Sequence, residues 1–354
     1  MLKAAKIVVL PGDGIGPEVA AAAVRVLKAV TGSSGLQLEL AEGWIGGSAL
    51  DRCGEPLDPK SLDLCREADA IFLGAVGGPQ WEHLPGPKRP EAGLLRLRKE
   101  LGVFANLRPF RSRPSLYART PYRDEVLAGV DTILVRELTG GIYFGAKGSD
   151  GEKAFDECVY TRTEIERITR VAGQLARARG KKLCSIDKAN VMETSRLWRK
   201  TVTELMASEF PDVAVQHILV DAAAMYLAQK PARFDVILTE NMFGDILSDQ
   251  ASTLAGSLGL LPSASLSAEG PGLYEPVHGS APDIAGTGRA NPVGAILSMA
   301  LLLRHSLKAE VLAQQLEAAV ERVLADGPWT AEIAPHAFAS THEVTEAILG
   351  ALKV

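Results

Sequence analysis

The segment Asn241-Met242-Phe243-Gly244-Asp245-Ile246-Leu247-Ser248-Asp249 carries the most pointed chemistry in the chain. Asp245 and Asp249 are four residues apart, so a helix here puts both on one face. Like charges at that spacing cost a helix a few tenths of a kcal/mol, roughly. A bound divalent cation reverses that penalty, since Mg²⁺ and Mn²⁺ prefer carboxylate oxygens. The plainer alternative is a solvated acidic face. The segment lacks Lys and Arg and is rich in apolar residues, which predicts a buried acidic stripe in need of counter-charge. Asp221, after a strand expected over Val213–Val220, is a candidate third ligand from elsewhere in the fold.

An anionic substrate needs cations. Arg98 lies on an expected helix over Leu94–Leu101, Arg108 follows Asn106-Leu107, and Arg136 ends an expected strand over Thr132–Arg136. Three convergent arginines would grip a di- or tricarboxylate in bidentate fashion, although a single arginine is more often a surface residue with its stem laid on apolar neighbours. Tyr143, between Gly140-Gly141 and Gly145, could be an exposed general acid or a core aromatic. Lys188, in Ser185-Ile186-Asp187-Lys188-Ala189-Asn190, sits between a strand and a helix. It is either a solvated loop charge or, half-buried near a cation, a usable base.

A third region, Gly272 to Gly286, reads as one long loop rich in Gly and Pro. Loops of this length in a compact enzyme are usually functional or disordered, and the apolar and aromatic residues here argue against disorder. Glycines let backbone approach a ligand. Asp283 could accept both hydroxyls of a ribose. His278 alone reads as a structural histidine.

These residues must be positioned by alternating elements. Strands are expected at Ile7–Leu10, Leu36–Leu40, Ala70–Leu73, Thr132–Arg136, Lys182–Ile186, Val213–Leu219 and Asp235–Thr239. Helices are expected at Pro17–Val30, Leu94–Leu101, Arg162–Arg179, Met192–Ser208, Ile246–Leu258, Pro292–Leu303 and Ala309–Ala325. Strand and helix in alternation mean an α/β class. The cluster Gly12-x-Gly14-x-Gly16 is not the dinucleotide fingerprint, whose third glycine falls where Pro17 stands. A tight strand-to-helix turn is expected instead.

With 354 residues the chain is long enough for two domains. Its net charge is −5, with no basic block, so neither nucleic acid nor a membrane is expected as a partner. The four cysteines form no CxxC pair, which disfavours structural zinc and fits thiols in a reducing cytoplasm. The N-terminus reads as a first strand, not a signal peptide. The apolar run Val293–Leu303 is too short to span a membrane and reads as a buried helix.

Taken together, the motifs resemble the β-decarboxylating dehydrogenases, the family of isocitrate and 3-isopropylmalate dehydrogenases. The likeness runs from Pro11-Gly12-Asp13-Gly14-Ile15-Gly16-Pro17-Glu18 to about Leu303, and the Asn241–Asp249 segment is highly specific to that family. Glu91-Ala92-Gly93-Leu94-Leu95-Arg96-Leu97-Arg98 and Glu137-Leu138-Thr139-Gly140-Gly141-Ile142-Tyr143-Phe144-Gly145 resemble its isopropylmalate branch. There Leu94 and Leu95 would face the isopropyl group, where isocitrate enzymes carry Ser and Asn.

The resemblance implies a two-domain α/β fold of the family's own kind, not a Rossmann fold. Residues 1–103 and 256–354 would form a cofactor-side domain holding both termini. Residues 104–255 would form a central domain with the dimer interface and the metal aspartates, and the active site would lie between the two. It implies a cytoplasmic homodimer with shared sites, in which Lys188 and Asp221 reach the partner's. Gly78, Glu91, Glu275, His278, Gly279, Ser280, Ala281, Asp283, Ile284 and Asn291 would hold NAD. Asp283-Ile284 stands where NADP-using relatives carry Lys-Tyr. Asp221, Asp245 and Asp249 would hold Mg²⁺ or Mn²⁺, and Arg98, Arg108, Arg136 and Asp221 would bind substrate. Lys188 would take the C2 hydroxyl proton, and Tyr143 would protonate C3 after CO₂ leaves. The product would be 4-methyl-2-oxopentanoate in leucine biosynthesis. Tartrate, malate or homoisocitrate oxidation, or a non-catalytic anion- or nucleotide-binding role, are the alternatives.

Overall fold

The computed structural model describes residues 4–353. The chain divides into two compact units, Met1–Val103 with Ala118–Thr120 and Gly256–Val354, and Phe104–Tyr117 with Pro121–Ala255.

The first unit is built on the strands Gln37–Glu42, Ala4–Gly12, Ala70–Ala75, Gly272–Pro276 and Pro262–Leu266, in that spatial order. The first four run parallel and the last antiparallel. Helix Gly16–Thr31 takes Pro17 into its first turn, with Glu18 at its positive end and Lys28 at its negative end. It buries Val19, Ala23, Val26, Leu27 and Val30 at helical spacing. Helix Val293–His305 is buried along the whole run Val293–Leu303, as its composition predicts.

The second unit places Ala105–Arg111, Asp131–Glu137, Val236–Thr239, Lys182–Asp187 and Ala214–Leu219 side by side. The first pair is antiparallel and the remainder parallel. A small hairpin, Lys147–Ser149 with Ala154–Asp156, stands apart from that sheet. Helix Arg162–Ala178 opens on a capping box of Thr161 and Glu164. No described helix is long and apolar enough to cross a membrane.

Three expectations need correction. The segment Gly272–Gly286 is not all loop, because Gly272–Pro276 is a fully buried strand; its glycine and proline bracket only three other residues and masked that short apolar strand. The aspartate-bearing helix begins at Asn241, not Ile246, and ends at Ala255. Gly256 then turns at φ 102°, a region open to glycine. The strand before Asp221 ends at Leu219, not Val220, so Asp221 follows it in the first turn of helix Val220–Gln229.

Candidate active site

In the second unit, strand register does most of the positioning. Asn106 pairs across the antiparallel ladder with Arg136, and Arg136 pairs in turn with Thr239. Asn106 and Arg108, two apart on a strand, share its face. Arg108 and Arg136 are therefore fixed by central strands and are buried, at 8% and 3% exposure. Helix Asn241–Ala255 lies over them, and Gly244 allows the approach. A Cβ on Gly244 would sit 2.3 Å from Thr239 Oγ1 and 2.7 Å from Arg136 Cγ.

The counter-charge expected for the aspartates comes from these arginines. Arg136 Nη1 donates to Asp245 Oδ1 at 2.6 Å, while Arg108 lies 3.6 Å from Asp245 and 3.4 Å from Asp249. The stripe itself is not buried, contrary to its composition. The Asp245 and Asp249 side chains are 35% and 61% exposed, because Phe243, Leu247, Ala251 and Leu254 take the buried side of the helix, and Ile246 is exposed with the aspartates. Partial burial nevertheless pushes the Asp249 carboxyl up, against the pull of Arg108. Tyr143 donates its hydroxyl to Asp245 Oδ2 at 3.1 Å. Its ring stands 5.9 Å from the Arg136 guanidinium. Burial and then the Asp245 charge raise the Tyr143 phenol above its ordinary range, so the proton stays on the oxygen. Asp245, Asp249, Arg108, Arg136 and Tyr143 thus form one connected group.

Lys188 and Asp221 make a separate pair, with Nζ 3.0 Å from Oδ1. The hydrogen bond from Lys188 holds the Asp221 carboxyl below its ordinary value. Among the described residues, no three His, Cys, Asp or Glu side chains cluster as a metal site within the chain.

In the first unit, Arg98 donates Nη2 to Glu275 Oε1 at 2.7 Å, while its buried Nε has no hydrogen-bond partner. Leu94 is half-buried against the core of its own unit, and Leu95 is half-buried beside it. Gly78 and Glu91 line one cavity of about 310 Å³ with Trp81, Glu82 and Arg89. The loop after Pro276 rests on the Gly12–Gly16 turn: Ile15 N–H donates to Ser280 C=O at 2.8 Å. A Cβ on Gly14 would fall 2.0 Å from that carbonyl oxygen. Ala281 follows at φ 38°, a strained value for a residue with a side chain. His278 Nδ1 meets the Gly279 carbonyl at 2.9 Å, and its buried Nε2 has no partner. Asn291 donates to Glu332 at 2.6 Å. Gly279 and Asp283 are exposed and Ile284 is half-buried.

Several residues of these sites escaped the sequence reading. Asp13 is buried and accepts the amides of Gly47, Ser48 and Gly77, each at 2.8 Å, which ties the glycine turn to the Gly77-Gly78 loop. Asn106 and Asn241 each hold an arginine. The signal for both was present. Asn106 is two before Arg108 on a strand, and Asn241 is four before Asp245 on a helix, so each shares a face with a residue already singled out.

The chain matches the Isocitrate/isopropylmalate dehydrogenase family over residues 6–348. It is 55% identical to a 3-isopropylmalate dehydrogenase of Geobacillus kaustophilus over 97% of this chain and 94% of that one. It is 53% identical to the 3-isopropylmalate dehydrogenase of Heyndrickxia coagulans, over 97% and 95%. Among solved structures, an isocitrate dehydrogenase from Methylococcus capsulatus superposes with a TM-score of 0.88 at 37% identity, covering 99% of this chain and 100% of that one. A β-decarboxylating dehydrogenase from Thermococcus kodakarensis gives 0.81 at 39% identity, covering 99% and 96%. With a match along almost its whole length, and with the α/β architecture of these structures, the chain belongs to the isocitrate/isopropylmalate dehydrogenase family.

Proposed function

We propose that this chain oxidises and decarboxylates 3-isopropylmalate to 4-methyl-2-oxopentanoate, the leucine-biosynthetic reaction, with NAD as hydride acceptor and Mg²⁺ or Mn²⁺ as metal. Relatives more than half identical over nearly full length carry that activity in their names. The observation that carries the chemistry is the group of two buried arginines, two carboxylates and a protonated tyrosine. It offers cations for a dicarboxylate and an acid for a carbanion.

Asp245 and Asp249 supply the hard oxygen donors that Mg²⁺ or Mn²⁺ takes, side by side on one exposed helix face. Two carboxylates are too few, and Asp221 of a second copy in a cytoplasmic homodimer is the third in this reading. When bound, the cation polarises the substrate hydroxyl and its neighbouring carboxylate. The cofactor loop has a matching need: the buried His278 Nε2 lacks a partner, as a nucleotide-binding group would before its ligand arrives. Asp283 would accept the ribose hydroxyls. Ile284 and the 279–281 backbone would pack along the nucleotide beside Asn291. Gly78, Glu91 and Glu275 would border the nicotinamide.

Arg98, Arg108 and Arg136 orient the substrate carboxylates, and Leu94 with Leu95 receives the isopropyl group. Lys188, in its neutral form, would accept the C2 hydroxyl proton while the C2 hydride passes to NAD. Tyr143 delivers a proton to C3 once CO₂ has gone. The direct test is NADH formation with 3-isopropylmalate, NAD and Mg²⁺, beside isocitrate, malate, tartrate and homoisocitrate. Turnover of 3-isopropylmalate above the others is expected. Preference for another acid would reassign the substrate, and no turnover of any would leave a binding protein.

A further inference from the structure

Two of the buried arginines of the second unit, Arg108 and Arg136, are held through Nε by neutral oxygens. Arg136 donates Nε and Nη2 to Asn241 Oδ1, at 3.1 and 2.8 Å. Arg108 donates Nε to Asn106 Oδ1 at 2.8 Å and Nη1 to Ser248 Oγ at 2.6 Å. By contrast, Arg170, Arg177, Arg179 and Arg199 give Nε to a Glu or Asp carboxylate. Both asparagines are buried, at 0% and 1% exposure. The orientation of the Asn241 amide is dictated by its partners. A guanidinium can only donate, so it takes Oδ1, and the Gly140 carbonyl can only accept, so it takes Nδ2 at 3.1 Å. The Asn241 backbone is fixed as well, its N–H donating to the Tyr160 hydroxyl at 2.9 Å.

We propose that Asn106 and Asn241 are positioning residues for substrate: neutral oxygens that hold Arg108 and Arg136 rigidly while leaving their positive charge for a dicarboxylate. The inference deepens the proposed function and rests on its assignment of the two arginines. The charge balance explains why the holders are neutral. Two guanidinium groups already face two carboxylates, Asp245 and Asp249. A divalent cation and a dianionic substrate then add equal and opposite charge, and the site stays balanced in a partly buried place where imbalance is costly. Aspartates at 106 and 241 would grip the arginines equally well but would leave the site negative before the substrate arrived, repelling it.

The test is Asn106→Asp and Asn241→Asp, with Arg108→Gln and Arg136→Gln alongside, measured as KM for 3-isopropylmalate, KM for NAD, and Tm. Each Asn→Asp variant should raise KM for 3-isopropylmalate by roughly tenfold, the order expected for one added negative charge several ångströms from the substrate carboxylates at an intermediate dielectric. KM for NAD should stay within about twofold in both, and Tm should not fall in Asn106→Asp, since the arginine remains held; Tm is read in that variant alone. A merely structural role predicts the opposite split, with Tm lowered and both KM values moving together or neither moving, and either result overturns the proposal. Asn241→Asp also loses its donor to Gly140, so if that variant does not fold, Asn106→Asp decides. If the arginine variants leave KM for 3-isopropylmalate unchanged, the assignment of the arginines fails and the inference falls with it. If they raise it while the folded Asn→Asp variants do not, only the neutral cradle is wrong.

Discussion

The two units hold the residues of their proposed sites by different means. In the second, side chains are locked before any ligand is present: Arg108 and Arg136 stand on central strands, buried and held by buried asparagines. In the first, the 277–292 loop is shaped through its backbone. The Ser280 carbonyl is pinned by Ile15, Ala281 is strained, and Asp283 is left exposed. Rigid charge suits a step that must orient two carboxylates and move protons at defined atoms. A backbone cradle suits a nucleotide recognised largely by shape, with a few polar contacts for choice. Mutations in the first set should therefore strike catalysis, and mutations in the second should shift binding and cofactor preference.

The sharpest way to break that contrast is to separate the two proton transfers. Lys188→Met should suppress hydride transfer itself, and Tyr143→Phe should spare it while slowing the later protonation at C3. Losses on the order of 10²–10⁴-fold in kcat are expected for a general acid or base. In a rapid-mixing trace, Tyr143→Phe should give an NADH burst near the wild-type rate followed by slow turnover, and Lys188→Met should give no burst. Loss of the burst in Tyr143→Phe would mean the tyrosine acts on the first step.

Asp245→Asn should weaken Mg²⁺ binding by about a hundredfold and lower turnover with the fold retained. Titration calorimetry with Mg²⁺ alone reads this directly. Unchanged metal affinity, with activity surviving chelation, would return the aspartates to a solvated face.

The first unit also carries a pH liability away from its loop. Burial, aided by Arg304 and Lys308, depresses His305 from 6.5 to about 4. The unfolded chain takes up this proton first as pH falls. Stability is therefore intact above pH 6.5 and is lost progressively down to about 4. The loss is about 2 kcal/mol once partial exposure is allowed for. His278 and His217, also held low by burial, act in the same direction. Urea unfolding at several pH values should show a shallower acid loss in His305→Gln, and identical slopes would remove His305 as a cause.

The smallest expected effect concerns cofactor choice. In the proposed role, the exposed Asp283 carboxylate would accept ribose hydroxyls and repel a 2′-phosphate. NAD should be preferred over NADP by at least about tenfold in kcat/KM, and Asp283→Asn should narrow that ratio. Equal kcat/KM for the two cofactors in the unaltered protein would show that the loop does not read the ribose.

Much of this was legible in the chain. The helix Gly16–Thr31, with Pro17 in its first turn, the buried helix Val293–His305 and most strands follow from apolar runs and periodicity. The Asp245–Asp249 spacing marked the proposed metal face, and the motif around it marked the family. These are local properties, written in residues a few positions apart.

What the sequence could not decide is which distant groups meet. Nothing near Arg136 in the chain names Asn241, 105 positions away, as its holder. Nor does Asp13 announce that it will collect amides from Gly47, Ser48 and Gly77. Composition predicted a buried acidic stripe, whereas the tertiary structure left the aspartates partly exposed and buried the arginines. The reason is physical: periodicity reports which face of an element is apolar, and the charge on a side chain is balanced only by what packing brings within a few ångströms. The chain by itself determined most of the longer elements, the family and the candidate reacting groups, but not the strands Ala105–Arg111, Pro262–Leu266 and Gly272–Pro276. Only the tertiary structure decided their partners, since strand register and a helix passing close at Gly244 set those distances.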